Sequence, residues 1–178
     1  AGAAAFSDDG KPLMSNAILR QGLERAAALG AVILDHCGDG SLAAGGVMNE
    51  GEVSRRLNVP GIPACAESVQ AARDVALAAS TGGRMHIQHI SSRLTAEFAA
   101  FAKERGIGIT AEATPHHLAL CDEALAEWGA NAKMNPPLAA RSERDWLRKA
   151  TAQGLIDCIA TDHAPHAARL KNQGLAQA

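Results

Sequence analysis

The sequence is poor in the side chains that recognise nucleobases or sugars by stacking. Its 178 residues include no tyrosine, and aromatic residues make up only 3% of the chain. The formal net charge is −2, so the sequence also lacks the basic surplus that draws proteins to nucleic acids and anionic membranes. These features argue against nucleic acid as the main partner.

Long apolar runs and paired cysteines are absent as well. No run approaches the roughly 20 apolar residues that cross a bilayer, so no membrane role is expected. The N-terminus has no basic segment of the kind that begins a secretory signal. The four cysteines form no Cys-x-x-Cys pair, which argues against a disulfide framework or a zinc knuckle and favours a cytoplasmic location.

The chain does contain a regular alternation of short apolar strands and amphipathic helices. Strands are predicted at 3–6, 31–34, 85–90, 108–113 and 156–161, and helices at 16–29, 63–80, 94–105 and 141–152. Strands that alternate with helices of this length predict a parallel sheet, and hence an α/β fold.

This pattern of about five β/α units fits two architectures. A closed (β/α)8 barrel has eight strands and about 250 residues, so the chain forms either an open sheet or part of a barrel. Because it begins inside an apparent strand, we favour the C-terminal portion of a barrel of the TIM type. Residues 1–178 are then expected to be one partial domain that lacks N-terminal strands and a C-terminal segment.

Polar side chains follow four of the predicted strands, and they are Asp9, His36, His89 and Asp162. Each has a structural alternative, such as a turn acid or a hydrogen-bonded histidine at a strand end. In a barrel, however, the carboxyl ends of the strands converge on one pocket. Two carboxylates and two imidazoles suit zinc, manganese or iron and leave room for water, so together they predict a metal-dependent hydrolase.

The strand at 85–90 contains two histidines. Alternation places Met85, Ile87 and His89 on one face and His86 on the other, so only one histidine is expected to face the pocket. His89 is nearer the carboxyl end of the strand and is the predicted ligand. His86 is expected to face away.

Five motifs resemble those of dihydroorotases, and specifically the bacterial class I enzymes of the amidohydrolase superfamily. They are FSDDG at 6–10, HC at 36–37, AEATPHHL at 111–118, NPPL at 135–138 and ATDHAPH at 160–166. The resemblance runs from about residue 5 to residue 166. It implies a (β/α)8 barrel that reversibly hydrolyses the cyclic amide of dihydroorotate to N-carbamoyl-aspartate in pyrimidine biosynthesis.

The resemblance also implies how a metal would be bound. Asp9, His36 and His89 would be ligands of one or two zinc ions. Asp162 would bind metal and would also act as the catalytic general acid and base. Asp8 remains an alternative to Asp9.

Two further residues match substrate-binding positions of the family. Asn135 would lie near the pyrimidine ring, and His166 near the substrate carboxylate. His116 and His117 are expected to have structural or supporting roles at the pocket.

The chain also departs from the family pattern. It has neither the His-x-His motif nor the arginine that normally precede these motifs. Gly38 stands where the family usually has a glutamate, and Ala139 stands where it has an arginine. We therefore expect the chain by itself to be inactive.

Three other interpretations remain open. A related cyclic amidohydrolase, such as an allantoinase or hydantoinase, shares the barrel, although Asp9 in place of a lysine and Asn135 before the prolines argue against it. A non-catalytic dihydroorotase-like subunit would instead support aspartate transcarbamoylase. A degenerate product without function is the third.

Overall fold

The computed structural model describes residues 2–178, so only Ala1 lies outside it. The strands are β1 (Ala5–Ser7), β2 (Val32–Asp35), β3 (Met48–Asn49), β4 (Gly61–Ile62), β5 (Arg84–Ile87), β6 (Ile109–Ala113) and β7 (Cys158–Ile159). The longer helices are α1 (Asn16–Ala28), α4 (Cys65–Thr81), α5 (Arg93–Glu104) and α8 (Arg141–Ala152). The shorter ones are α2 (Gly40–Ala43), α3 (Glu52–Arg56), α6 (Pro115–Ala119), α7 (Glu123–Trp128) and α9 (Ala168–Lys171), with a 3-10 turn at Gly129–Ala132.

Five of the strands form one parallel sheet in the order β1-β2-β5-β6-β7. Strands that follow one another along the chain are neighbours in this sheet, and every pairing is parallel. An open doubly wound sheet would reverse its strand order at a switch point, whereas a barrel does not. The expected α/β fold, a portion of a (β/α)8 barrel, is therefore confirmed.

The long helices begin and end where the local sequence favours it. The Ser15 hydroxyl caps α1 by accepting the Ile18 N–H, a contact worth about 1 kcal/mol. Gly82 follows α4 with a φ of 68°, a left-handed conformation that glycine adopts without strain. These signals explain why the predicted helices agree closely with the observed ones.

The main core lies between the sheet and the long helices. Met85 and Ile87 of β5 pack there with Leu19 and Leu23 of α1, and each of these side chains is almost completely buried. Alanines from α4 and α5 complete this layer. All four long helices contribute to this single cluster on one face of the sheet, as the outer layer of a barrel requires.

The opposite face of the sheet carries polar side chains, and we call it the polar face. Its members are Ser7, His86, Gln88, Thr110 and Glu112. The Ser7 hydroxyl donates to Gln88 Oε1 over 3.0 Å, which joins β1 to the segment after β5 across this face. In a (β/α)8 barrel this face is the interior, where the pocket opens at the carboxyl ends of the strands.

Residues 40–62 form a small subdomain that the sequence pattern did not predict. Two short helices accompany the two-stranded parallel ladder of β3 and β4, in a region where no strand or helix was predicted. A second apolar cluster, including Met48, Val53 and Leu138, packs beneath it. The strands of this ladder are two residues long, too short for periodicity to be detected.

Within residues 2–178, no helix is both long enough and apolar enough to cross a bilayer.

Candidate metal centre

Three side chains at the carboxyl ends of β1, β2 and β5 meet in one cluster. His36 Nδ1 lies 3.1 Å from His89 Nε2, and the Asp9 Oδ1 atom lies 3.5 Å from the former and 3.3 Å from the latter. Both histidines are buried, whereas the Asp9 side chain is 48% exposed. The cluster therefore has two buried nitrogen donors and one oxygen donor that is open to solvent.

The turn after β1 separates the roles of its two acids. Asp8 Oδ2 accepts the Leu13 N–H over 2.6 Å, so the Asp8 carboxylate holds the loop that follows. The Asp9 N–H donates to the Ser7 hydroxyl, and the Asp9 carboxylate points to the histidines. Burial and the nearby charge of Asp35 raise the pKa of Asp8 to about 6. The structure thus places Asp9, and not Asp8, in the cluster.

His36 follows directly after β2 and has a second polar neighbour. Burial, followed by the proximity of His89, lowers the pKa of His36, so its ring is neutral at pH 7. Neutral imidazole is the form that binds a metal ion. The other ring nitrogen of His36, Nε2, lies 3.1 Å from Asn135 Nδ2. This contact brings one of the two predicted substrate-binding residues to the cluster.

The position of His89 requires a correction to the argument from alternation. Met85 and Ile87 face the helices, so a regular strand would also direct His89 into the helix layer. Instead β5 ends at Ile87, and His89 adopts a φ of 33°, which turns its ring toward Asp9. The expectation that His86 faces away from the pocket side was wrong, because His86 lies on the polar face.

Left-handed backbone is concentrated at predicted ligands. Among residues 2–178, the non-glycine residues with positive φ are Asn58, His89 and Asp162. Such a conformation costs a histidine or aspartate roughly 1 kcal/mol or more, and it is retained where the surrounding structure imposes it. Two of these three residues are predicted metal ligands, which is typical of a functional site.

The donor distances fit a single metal ion. Ligand atoms that lie about 2.0–2.1 Å from a tetrahedral zinc ion are about 3.3–3.4 Å apart. The three observed separations are 3.1, 3.3 and 3.5 Å. Nitrogen and oxygen donors without thiolate also suit zinc, manganese or iron. Asp9, His36 and His89 therefore fit the metal that the family resemblance implies.

The remaining predicted residues lie on the segment after β7. Asp162 is half-buried and is not among the three residues whose ligand atoms lie within 4.8 Å of one another. Its charge nevertheless acts on His36 and on His116, although burial has the larger effect and lowers both pKa values. His166 is exposed, four residues further along. The structure therefore brings Asp162 to the edge of the cluster and leaves His166 outside it.

His117 supports the loop that carries Asn135. Its Nε2 donates to the Pro136 carbonyl over 3.0 Å, and its Nδ1 then accepts the Thr114 hydroxyl over 2.8 Å. Burial and the neighbouring His116 lower the pKa of His117 to about 3, so the ring is neutral. His117 is thus a buried structural residue that stabilises the loop behind the candidate site.

A buried polar network behind His36 is the feature that the sequence reasoning missed. Arg73 of α4 donates to Asp35 and Asp74 over 3.3 and 2.8 Å, and to the Leu13 carbonyl over 2.6 Å. Gln70 also donates to Asp35 over 2.8 Å. The available signal was an arginine close to apolar residues within the predicted helix at 63–80.

The two carboxyl groups of this network have opposite protonation states. Burial and the adjacent Asp35 raise the pKa of Asp74 to about 9, so Asp74 is protonated at pH 7. Burial alone would raise the pKa of Asp35 too, but hydrogen bonds from Asp74 and Gln70 and the charge of Arg73 outweigh it and lower the value. A single anion therefore faces Arg73, which ties the end of β2 to the loop after β1.

A cavity of about 60 Å³ lies beside Asn135. Its walls include Gly38 and Ala139, the two positions at which the sequence was said to depart from the pattern of the family it resembles, together with Glu67 and Glu143. Both of these positions therefore lie next to the candidate site.

Comparison with known proteins identifies the family of the chain. The sequence model of the family described as Dihydro-orotase-like matches residues 1–95, more than half of the chain. The chain belongs to the dihydro-orotase-like family.

Curated relatives of the dihydro-orotase-like chain are named dihydroorotase. That of Syntrophus aciditrophicus is 48% identical over 167 residues, which are 94% of this chain and 39% of the relative. That of Aquifex aeolicus is 48% identical over 93% of this chain and 39% of its own length, and that of Deinococcus radiodurans is 46% identical over 100% and 43%. The chain spans about 40% of the length of the curated relatives it matches.

Solved structures similar to the dihydro-orotase-like chain include hydantoinases. D-hydantoinase from a Bacillus sp. AR9 has a TM-score of 0.82 at 22% identity, with 99% of this chain and 42% of that one aligned. L-hydantoinase from Arthrobacter aurescens has a TM-score of 0.80 at 23% identity, over 95% and 38%. At these identities the similarity shows the fold alone.

Proposed function

We propose that the chain carries part of the active site of a metal-dependent dihydroorotase, an enzyme that interconverts dihydroorotate and N-carbamoyl-aspartate in pyrimidine biosynthesis. The observation that carries the proposal is the contact of Asp9, His36 and His89 at the carboxyl ends of neighbouring parallel strands. Relatives named dihydroorotase at 46–48% identity support the choice of substrate. Residues 1–178 would be part of a single barrel domain.

Zinc is the proposed ion, held by Asp9 Oδ1, His36 Nδ1 and His89 Nε2. When bound, it would make hydroxide available near neutral pH and would polarise the substrate carbonyl. The low pKa of His36 keeps a nitrogen lone pair free for binding at pH 7. Asp9, which is partly exposed, leaves one side of the cluster open to substrate and water.

Asp162 is the proposed catalytic residue and a further metal ligand. Its carboxylate would take a proton from the attacking water and deliver it to the departing ring nitrogen, a transfer that typically contributes 10²–10⁴-fold to rate. The left-handed backbone at Asp162 and its electrostatic effect on His36 support this role.

Asn135 and His166 are the proposed substrate contacts. The Asn135 amide lies against His36, where it can donate to or accept from the amide groups of a pyrimidine ring. His166 follows Asp162 on an exposed segment and would bind the substrate carboxylate. Cytoplasmic location, inactivity of the chain by itself and partnership with aspartate transcarbamoylase stay predictions.

Metal content and substrate choice test the proposal in the protein as its source cell makes it. We expect bound zinc that is lost in His36→Ala and retained in His163→Ala, an exposed histidine outside the cluster. We also expect turnover of dihydroorotate to exceed that of hydantoin and allantoin. Asp162→Asn should lower turnover by about 10²-fold or more. Faster turnover of hydantoin than of dihydroorotate, or zinc that stays bound in His36→Ala, would overturn the proposal.

A further inference from the structure

The segment that follows β5 carries a strained backbone at a proposed ligand. His89 has a φ of 33°, and its ring Nε2 contacts both Asp9 and His36. A left-handed histidine persists only where neighbouring groups hold it. The position of the His89 ring therefore depends on the side chains that contact residues 88–92.

Glu112 of β6 contacts the backbone on both sides of this strained residue. Its side-chain Oε1 accepts the His89 N–H over 3.2 Å, and its main-chain carbonyl accepts the Ile90 N–H over 2.9 Å. The residue is buried, so little water competes for these hydrogen bonds. One glutamate thus fixes two successive peptide groups.

His86 in turn orients the Glu112 carboxylate. His86 Nε2 donates to Glu112 Oε2 over 3.0 Å, and His86 Nδ1 lies 2.7 Å from the Thr110 hydroxyl. A carboxylate only accepts, so the ring carries its proton on Nε2, and its Nδ1 accepts a hydrogen bond from the Thr110 hydroxyl. Both carboxylate oxygens of Glu112 are therefore directed, one at His86 and one at the His89 backbone.

A second buried carboxylate holds the far end of the same segment. Glu67 of α4 accepts the backbone N–H groups of Ser91 and Ser92 over 3.0 and 3.1 Å, together with the Ser91 hydroxyl. This anchor fixes the segment to α4 just before α5 begins. It leaves the conformation of His89 itself to Glu112.

We propose that Glu112, oriented by His86, is the positioning residue that holds His89 in its left-handed conformation and so directs its imidazole toward Asp9 and His36. The consequence for metal binding rests on the proposed function, whereas the backbone role does not. His86 and Glu112 also have donor atoms within 4.8 Å of Cys158, and the proposal gives this pair a positioning role in place of a metal site. The His86 and Glu112 atoms already have hydrogen-bond partners.

The experiment combines hydrogen–deuterium exchange with zinc competition against a chelator. In Glu112→Ala we expect exchange at the His89 amide to increase at least tenfold and zinc affinity to fall about 10–100-fold, the usual effect of losing a group behind a metal ligand. In Glu112→Gln the amide oxygen can still accept the His89 N–H. Slow exchange at the His89 amide and zinc affinity should therefore both be largely retained. Glu97→Ala, which breaks an exposed ion pair with Arg93 on α5, is the matched control and should change neither.

His86→Ala keeps the inference testable if Glu112→Ala does not fold. It should increase exchange at His89 several-fold, because the Glu112 carboxylate loses its orienting donor. If neither variant accelerates exchange at His89, the proposal is wrong. It is also wrong if Cys158→Ala lowers the zinc stoichiometry by one ion. A wild-type protein that binds no zinc would refute the proposed function, while the exchange measurements would still test the positioning role.

Discussion

His36 Nδ1 and His89 Nε2 lie 3.1 Å apart, although 52 residues separate them along the chain. The two strands that precede them, β2 and β5, are adjacent and parallel, with Asp35 paired to Ile87. Their carboxyl ends therefore meet at the same edge of the sheet. The two rings are buried with their nitrogen atoms facing each other, and Asp9 faces the gap between them.

Asp9→Asn and Asp8→Asn distinguish the two acids of the first turn. Zinc affinity should fall at least about tenfold in Asp9→Asn, because loss of a direct ligand should cost no less than loss of a supporting group. In Asp8→Asn the amide oxygen can still accept the Leu13 N–H, so zinc affinity should be retained. Competition with a chelator measures both, and loss of zinc in Asp8→Asn alone would reassign the ligand.

The buried His117 should make the folded state sensitive to acid. Its pKa is about 3 in the folded chain against 6.5 as the ordinary value, so between these values the unfolded chain binds a proton that the folded chain does not. The resulting contribution of His117 to the free energy of unfolding is complete above pH 6.5. It is lost as the pH falls, by about 1.4 kcal/mol per pH unit. Between pH 7.5 and 5 it amounts to about 2 kcal/mol.

Urea unfolding of the wild type and of His117→Gln at these two pH values measures this contribution. Glutamine can still donate to the Pro136 carbonyl but does not titrate. The free energy of unfolding of the variant should therefore fall less on acidification. Equal pH dependence in the two proteins would contradict the prediction.

Arg73 and Asp74 should differ in cost when replaced, although they contact each other. Arg73→Met leaves the Asp35 anion buried without its cation, and we expect the free energy of unfolding at pH 7 to fall by about 3–5 kcal/mol. Asp74 is already neutral at pH 7, so Asp74→Asn should cost less than about 1.5 kcal/mol. Denaturant unfolding compares them, and a larger loss in Asp74→Asn would refute the assigned protonation.

The cavity beside Asn135 should accept a complementary pair of charges. Gly38 has no positive φ, and a Cβ there would lie 3.7 Å from His36 Nε2, an ordinary contact. Gly38→Glu alone adds a carboxylate near Glu67 and should destabilise the fold. The double variant with Ala139→Arg should recover at least about 1 kcal/mol relative to the sum of the single changes.

Denaturant unfolding of the four proteins in this double-mutant cycle gives the coupling energy. Gly38→Gln combined with Ala139→Arg is the control that lacks the added carboxylate, and its coupling energy should be clearly smaller. Equal coupling in both cycles would mean that the two positions interact by packing alone.

Much of the fold could be predicted because its pattern is local. Apolar stretches, capping residues and glycines specified the four long helices to within two residues, as at Arg141–Ala152. The carboxyl-end rule then predicted that Asp9, His36, His89 and Asp162 would meet, because parallel neighbouring strands end at one edge. The first three do meet, and Asp162 is not among the grouped donors. The family resemblance had the same local basis in short motifs.

The sequence by itself therefore determined the order of strands and helices and the edge at which the polar residues lie. Only the tertiary structure decided the side to which each residue turns. His89 departs from strand alternation because Glu112, on the next strand, holds its backbone. The Arg73 side chain is only 14% exposed because it binds Asp35 of β2 and the Leu13 carbonyl, both far from it along the chain. Such conformations depend on hydrogen bonds between residues far apart in the chain. The spacing of apolar residues in the sequence indicates only which side of a local strand or helix is buried.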